Sequence, residues 1–302
     1  LYWYRFQKEV YGKMVFHSPV QIIAKAGGAG KAKVGLAPWN MLLRGFMAGA
    51  YIAIGGALAT TCYTGVAATL GVGMAKLILG SVFPVGLIII VLTGAELFTG
   101  DAMLAPMAAF VHKVSWGSVL NLWLWVYIGN LIGSIVYAYI MAYGPFTSWN
   151  VAGVASVNAF GMSAVAIASG KCSYIGGAAL WSCFLKAIGC NWLVNLAILL
   201  GICADDAIGK FFGVWFPIMA FVSSGFEHCV ANMYFIPAGI FTAPFLSADQ
   251  VATIGPKLAN LGWVNMWTNN LVVVTIGNIV GGMLFVGVLY YVAFKKEIEA
   301  LE

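Results

Sequence analysis

Six stretches of this sequence each run for about 20 or more residues almost without charge, which is the length a helix needs to cross a bilayer. They cover residues 41–62, 74–107, 120–142, 178–203, 211–240 and 271–294. Over all 302 residues only 8% are charged and 62% are hydrophobic, with a mean hydropathy of +0.94. A soluble domain carries about 25% charged residues. A chain with a third of that cannot cover a water-facing surface, so the surface must face lipid, and a soluble enzyme is excluded. The net charge of +5 is small and its lysines and arginines are scattered. Nucleic-acid binding needs them clustered on one face.

These spans predict an all-α membrane protein. Residues 37–296 form one transmembrane domain, with a cytoplasmic segment at 1–36 that includes a helix, and a cytoplasmic tail at 297–302. Residues 145–170 are moderately apolar and rich in Ala, Gly and Ser. They read as a surface helix or loop, because a seventh crossing would break the charge asymmetry. Six crossings put both termini on one side. That side carries ten Lys/Arg (Arg5, Lys8, Lys13, Lys25, Lys31, Lys33, Lys113, Lys210, Lys295, Lys296), against Lys76, Lys171 and Lys257 on the other. The positive-inside rule makes the richer side cytoplasmic and predicts a multi-pass protein of the plasma membrane. Arg44 and Lys186 lie within segments one and four and are expected to snorkel. The first 20 residues carry Arg5, Lys8, Glu9 and Lys13 with no apolar core after them, so no cleavable signal peptide is expected.

Segments two and five are too long for one straight crossing, and each is interrupted by a polar, Gly-containing stretch. The interruptions match. A single offset of 131 residues lays Gly94 on Gly225, Glu96 on Glu227 and Pro106 on Pro237, with Asp101 falling on Asn232. Segments three and six share Ile128-Gly129-Asn130 through Gly133 and Ile276-Gly277-Asn278 through Gly281. Segments one and four share a weaker Leu43-Arg44 and Leu185-Lys186. Three-crossing units repeated this way are inverted relative to each other. Matching helix breaks in inverted repeats point to a transporter's substrate path.

A helix broken inside a membrane frees peptide groups that protein or a wet cavity must satisfy. The N-terminus of the following half-helix offers N–H donors and positive dipole, a setting for an anion. Glu96 and Glu227 stand beside the breaks and are expected to accept hydrogen bonds from the freed N–H groups, since a bare carboxylate would repel an anionic substrate. His228 is the one histidine inside a predicted crossing, and imidazole titrates near physiological pH. Its bland reading is a satisfied core histidine. Its place beside a repeated break favours proton transfer to a weak-acid anion, which then crosses an apolar constriction as the neutral acid. Asn191 and Asn232 are candidates to orient the substrate or His228.

Gly94-Ala95-Glu96-Leu97-Phe98-Thr99-Gly100, Gly189-Cys190-Asn191-Trp192, Ser224-Gly225-Phe226-Glu227-His228-Cys229-Val230-Ala231-Asn232-Met233 and Thr275-Ile276-Gly277-Asn278 resemble the formate–nitrite transporter family, over about residues 31–296. The resemblance implies an aquaporin-like inverted repeat of six helices with helices two and five broken. It implies a homopentamer with one pore per protomer, carrying formate, nitrite, hydrosulfide or lactate, with formate first. It makes His228 the central pore histidine with Asn232 and Asn191 beside it, and Leu97, Phe98 and Thr99 a mobile loop at the first break. It groups Phe83, Leu87 and Leu97 as one apolar constriction and Phe221 with Val194 as the other. It puts a lysine at each pore mouth: Lys33 or Lys31 inside, and Lys171 outside.

Two other classes compete. A haem-bearing electron-transfer subunit needs paired intramembrane histidines, and only His228 is available. A neutral-solute pore is expected to carry Asn-Pro-Ala boxes at its breaks, and the sequence has none there. The six cysteines form no CxxC pair or metal-ligand pattern, and no cofactor is called for.

Overall fold

The computed structural model describes residues 16–299. The basic residues Arg5, Lys8 and Lys13, the start of the N-terminal segment and the end of the tail lie outside the described residues. The first helix, α1 (Pro19–Val34), opens on a capping box in which Ser18 and Gln21 exchange backbone and side-chain hydrogen bonds, with Pro19 following the cap. It ends with Lys31 and Lys33 in its last turn, where cations suit the helix dipole.

The first crossing is α2 (Pro38–Tyr63). The second is built from α3 (Val66–Val82), α4 (Val85–Thr93) and, after a break, α5 (Phe98–Phe110). The third is α6 (Trp116–Tyr143). A small hairpin, β1 (Thr147–Trp149) against β2 (Ala155–Val157), then leads into α7 (Ala159–Lys171). The fourth crossing is α8 (Gly177–Cys203). The fifth is α9 (Ala207–Ser223), a break and α10 (Cys229–Thr242). After a short α11 (Ala248–Ile254) the sixth is one apolar run over Trp263–Lys296. It comprises α12 (Trp263–Met266), α13 (Val272–Ile279) and α14 (Leu289–Glu299), joined by π-helical stretches at Trp267–Leu271 and Val280–Val288.

The six crossings and both breaks fall where the apolar runs and their interruptions predict. The hairpin was not anticipated. Its strands are three residues long, too short to show a period, and its turn rests on Asn150 Oδ1, which accepts from Ala152 N and Val154 N at 2.9 Å. At 13 residues α7 is about 20 Å long, short of the ~30 Å apolar thickness of a bilayer, so the 145–170 stretch adds no crossing.

What draws the crossings together is close backbone approach. Lipid tails are as apolar as leucine, so helices in a membrane associate through packing and small residues. A Cβ on Gly133 of α6 would lie 2.0 Å from the carbonyl oxygen of Phe46 on α2. A Cβ on Gly281 would lie 2.4 Å from the carbonyl oxygen of Ile188 on α8. The shared Gly-xxx-Gly of segments three and six thus does the same work in both halves.

Gly133→Ala is expected to lower stability by about 1–3 kcal/mol through overpacking. Gly28→Ala, on an exposed position of α1 with nothing within 4 Å, should be neutral or better by up to ~1 kcal/mol. Thermal unfolding in detergent distinguishes the two.

Candidate functional site

Each break opens on a glycine in the left-handed region, Gly94 at φ +78° and Gly225 at φ +74°, where a side chain would be strained. The chain then runs extended to Leu97 (φ −113°, ψ 120°) in one half and to His228 (φ −113°, ψ 119°) in the other. These two residues are related by the repeat offset and cap the half-helices α5 and α10.

The peptide groups exposed at the breaks are satisfied in the same way twice. Asn130 Oδ1 accepts from Phe98 N at 3.0 Å, and its Nδ2 donates to Glu96 O at 3.0 Å and Gly45 O at 2.8 Å. Asn278 Oδ1 accepts from Cys229 N at 2.9 Å, and its Nδ2 donates to Glu227 O at 3.0 Å and Ala187 O at 2.8 Å. Glu96 N donates to Arg44 O and Glu227 N to Lys186 O, which gives the weak Leu-Arg and Leu-Lys match its meaning. The expected role of the glutamates is therefore corrected. A carboxylate accepts only, whereas a break presents both N–H and C=O groups, and an amide side chain serves both.

The glutamates instead hold the lysines. Glu96 pairs with Lys33 and stands 3.7 Å from Arg44 Nη1. Lys33 also reaches Asp101 Oδ1 at 3.1 Å. Burial works against the Lys33 charge, but Asp101 and Glu96 outweigh it and raise its pKa. Lys31, two residues away on α1, is exposed on another face of the helix, so of the two it is Lys33 that lines the cavity beside this break. In the other half Glu227 accepts from Lys171 Nζ at 2.9 Å, Tyr174 Oη at 2.9 Å and Asn232 Nδ2 at 2.7 Å.

Two cavities flank the breaks. One, of about 270 Å³, is lined by Phe83, Lys171, Phe221, Glu227, His228 and Asn232 among others. The second, of about 300 Å³, is lined by Lys33, Arg44, Leu87, Glu96, Leu97 and Asp101 among others. Each has room for several waters at ~30 Å³ apiece. Phe83 faces one and Leu87 the other, four residues or about 6 Å of helix rise apart on the second crossing. This regroups the expected constrictions. Phe83 sits edge-on to Phe221, with ring centres 5.9 Å apart, while Leu87 and Leu97 line the other cavity. Val194 is buried on α8 and lines neither. Phe98 turns away as well, into Trp123 and Tyr127 of α6.

His228 is 3% exposed and lines the first cavity. Its Nδ1 accepts from Ala231 N at 3.0 Å. A nitrogen that accepts carries no proton, so the ring is neutral with its hydrogen on Nε2. That Nε2 lies 3.0 Å from Thr99 Oγ1 and donates to it, joining the two half-helix termini. Phe221 stacks on the imidazole at 5.8 Å. Asn191 and Asn232 direct their amide donors away from the ring. Asn191 Nδ2 donates to Thr99 O and Asn278 O, and Asn232 Nδ2 donates to Glu227 and Asn270 Oδ1. The side-chain oxygens of both asparagines are buried without a hydrogen-bond partner.

Sequence reasoning passed over Tyr174, Asn195 and Asn270 and gave no role to Asn130 or Asn278. The repeat had already marked the last two. Among the described residues no group of three or more His, Cys, Asp or Glu is arranged to hold a metal.

The geometry can be set beside known proteins. The family model described as formate/nitrite transporter matches residues 20–292. A probable formate transporter of Methanothermobacter thermautotrophicus is 40% identical, over 93% of this chain and 98% of that protein. The formate channel FocA of Escherichia coli (strain K12) is 32% identical, over 92% and 95%. A solved pentameric formate channel with formate bound superimposes with a TM-score of 0.71 at 34% identity, covering 86% of this chain and 98% of that one.

Asn278→Leu would strand the Cys229 N–H and the carbonyls of Glu227 and Ala187. An unsatisfied buried group costs about 1–3 kcal/mol. The expected outcome is a lower unfolding temperature and a loss of transport, read by thermal unfolding and flux on the same preparation. Asn278→Asp keeps an acceptor and should lose less.

Proposed function

Because this chain belongs to the formate/nitrite transporter family, we propose that it passes small monovalent anions, formate first, as the neutral acid across a short apolar barrier beside His228. The chain is a transporter and not an enzyme. Formate is favoured over nitrite, hydrosulfide and lactate by the named functions of its relatives and by the formate held in its structural neighbour. The same neighbour supports a homopentamer with one pore in each protomer. Both termini lie in the cytoplasm, with residues 37–296 as the transport domain in the plasma membrane. The Lys33 cavity then opens inward and the Lys171 cavity outward.

The observation that carries the reading is the buried imidazole of His228 beside Phe83 and Phe221, between two lysine-bearing cavities. Taking a bare carboxylate into a low-dielectric medium costs tens of kcal/mol on a Born estimate. Protonating the carboxylate of an acid of pKa ~4 at pH 7 costs only about 4 kcal/mol. The neutral route wins even after the smaller cost of burying a hydroxyl. Lys33 and Lys171 gather the anion, and the positive dipole ends of α5 and α10 add to the potential. As the anion nears Nε2–H it stabilises an imidazolium. Nδ1 then releases the Ala231 N–H and takes a proton from cavity water, and Nε2 passes its own proton to the anion. Loss of the Nδ1 proton and return of one to Nε2 resets the ring. Thr99 accepts the Nε2–H bond at rest and keeps the ring aimed at the barrier.

In proteoliposomes, formate uptake is expected to rise as the pH falls, and His228→Ala should lose that dependence. A variant that moved formate with unchanged pH dependence would sink the proton step. Lys171→Gln should raise the half-saturating formate concentration on the outer side, on the order of tenfold. Competition among formate, nitrite, hydrosulfide and lactate at two pH values ranks the substrates.

A further inference from the structure

The lysines Lys33 and Lys171 are not paired alike, and the difference lies at one pair of repeat-related positions. In the outer cavity Lys171 pairs with one carboxylate, Glu227, and Lys76 also lines the cavity. The neutral amide of Asn232 completes that arrangement by donating to Glu227 Oε2 at 2.7 Å. In the inner cavity Lys33 pairs with two carboxylates, Glu96 and Asp101, and Arg44 and Lys210 also line the cavity. Asp101 occupies the place that Asn232 holds in the other repeat. Its side chain is 1% exposed. It lines the cavity, and neither of its oxygens accepts a well-directed hydrogen bond.

The surroundings of Asp101 are limited. From α1 comes Lys33, from the break Glu96, from α2 Arg44 and from α9 Lys210. Arg44 reaches Glu96 at 3.7 Å and is 40% exposed. Lys210 donates to the carbonyl of Gly201 at 3.0 Å. From α8 come only Ile198, Gly201 and Ile202. The indole of Trp123 on α6 bonds the main-chain carbonyl of Asp101 and leaves its carboxylate alone. Among the described residues Lys33 is therefore the one cation paired with this carboxylate.

We propose that Asp101 is a specificity-determining proton site of the inner mouth: as a carboxylate it competes with the substrate anion for Lys33, and as a neutral acid it releases Lys33 to bind that anion. The inference rests on the anion-transport reading above, but it is separate from His228. A protonated Asp101 has the shape of the outer asparagine and, like it, offers a hydrogen toward the neighbouring glutamate. The proton comes from inner water and bonds to an Asp101 oxygen. The anion replaces the carboxylate at Lys33, and no other bond changes. Anion capture from the inner side is thereby linked to inner pH, while capture from the outer side has no such group.

The test uses the full-length protein in oriented proteoliposomes with formate as the probe. The half-saturating concentration is measured from each side at two pH values on that side. For the wild type, acidification of the inner side should lower the inner value on the order of tenfold, a larger change than acidification produces outside. Asp101→Asn should hold the inner value low at both pH values and leave the outer value alone. Asn232→Asp should introduce the same pH dependence on the outer side, and it carries the test if Asp101→Asn does not assemble. Equal pH dependence on both sides of the wild type, or an inner dependence that survives Asp101→Asn, would overturn the proposal. Failure of the wild type to move formate at all would instead overturn the anion reading beneath it.

Discussion

An α-helix interrupted inside a bilayer exposes peptide groups that no water reaches, and each one left unpaired costs several kcal/mol. This protein breaks two helices and uses one asparagine at each break to satisfy an N–H and a carbonyl there. Asn130 and Asn278 each accept one N–H and donate to two carbonyls. The rest of the site depends on these amides. They fix where the extended segments run, and so they fix Leu97 and His228 at the caps of two half-helices that meet through Thr99 and the imidazole. They also release the two glutamates to pair with lysines at the cavity mouths.

The arrangement reconciles two demands that conflict. An anion path needs positive charge to attract its substrate, yet fixed charge in the barrier itself would trap the ion. Here the lysines stand in cavities on either side. The apolar side chains Phe83 and Phe221 line one cavity, with His228 beside them, and Leu87 and Leu97 line the other. Lys171 is paired with one carboxylate, Glu227, and Lys33 with two, Glu96 and Asp101, so neither lysine stands as a bare charge.

Much of this was legible in the sequence, and for identifiable reasons. Charge scarcity and span length give the six crossings, because the bilayer imposes both. The Gly94/Gly225 and Glu96/Glu227 register gives the breaks, because an inverted repeat must solve the same backbone problem twice. His228 stands out as the lone intramembrane histidine. What was not legible is partnership across distance. Nothing local says that Asn278 bonds Glu227 and Ala187, or that Thr99 meets His228. The regrouping of Phe83 with Phe221 depends on how two crossings face each other. Lys33 and Lys31 could be separated only by the rotational phase of α1 against the second crossing. The hairpin at residues 147–157 is too short for any pattern to announce.

The central claim is that the substrate crosses the barrier as a neutral acid. It is tested most directly by following formate, pH and membrane potential together in the same proteoliposomes. The account predicts one proton moving with each formate, alkalinisation of the side the formate leaves and no net current. Formate flux that carries current and leaves the pH on both sides unchanged would contradict it.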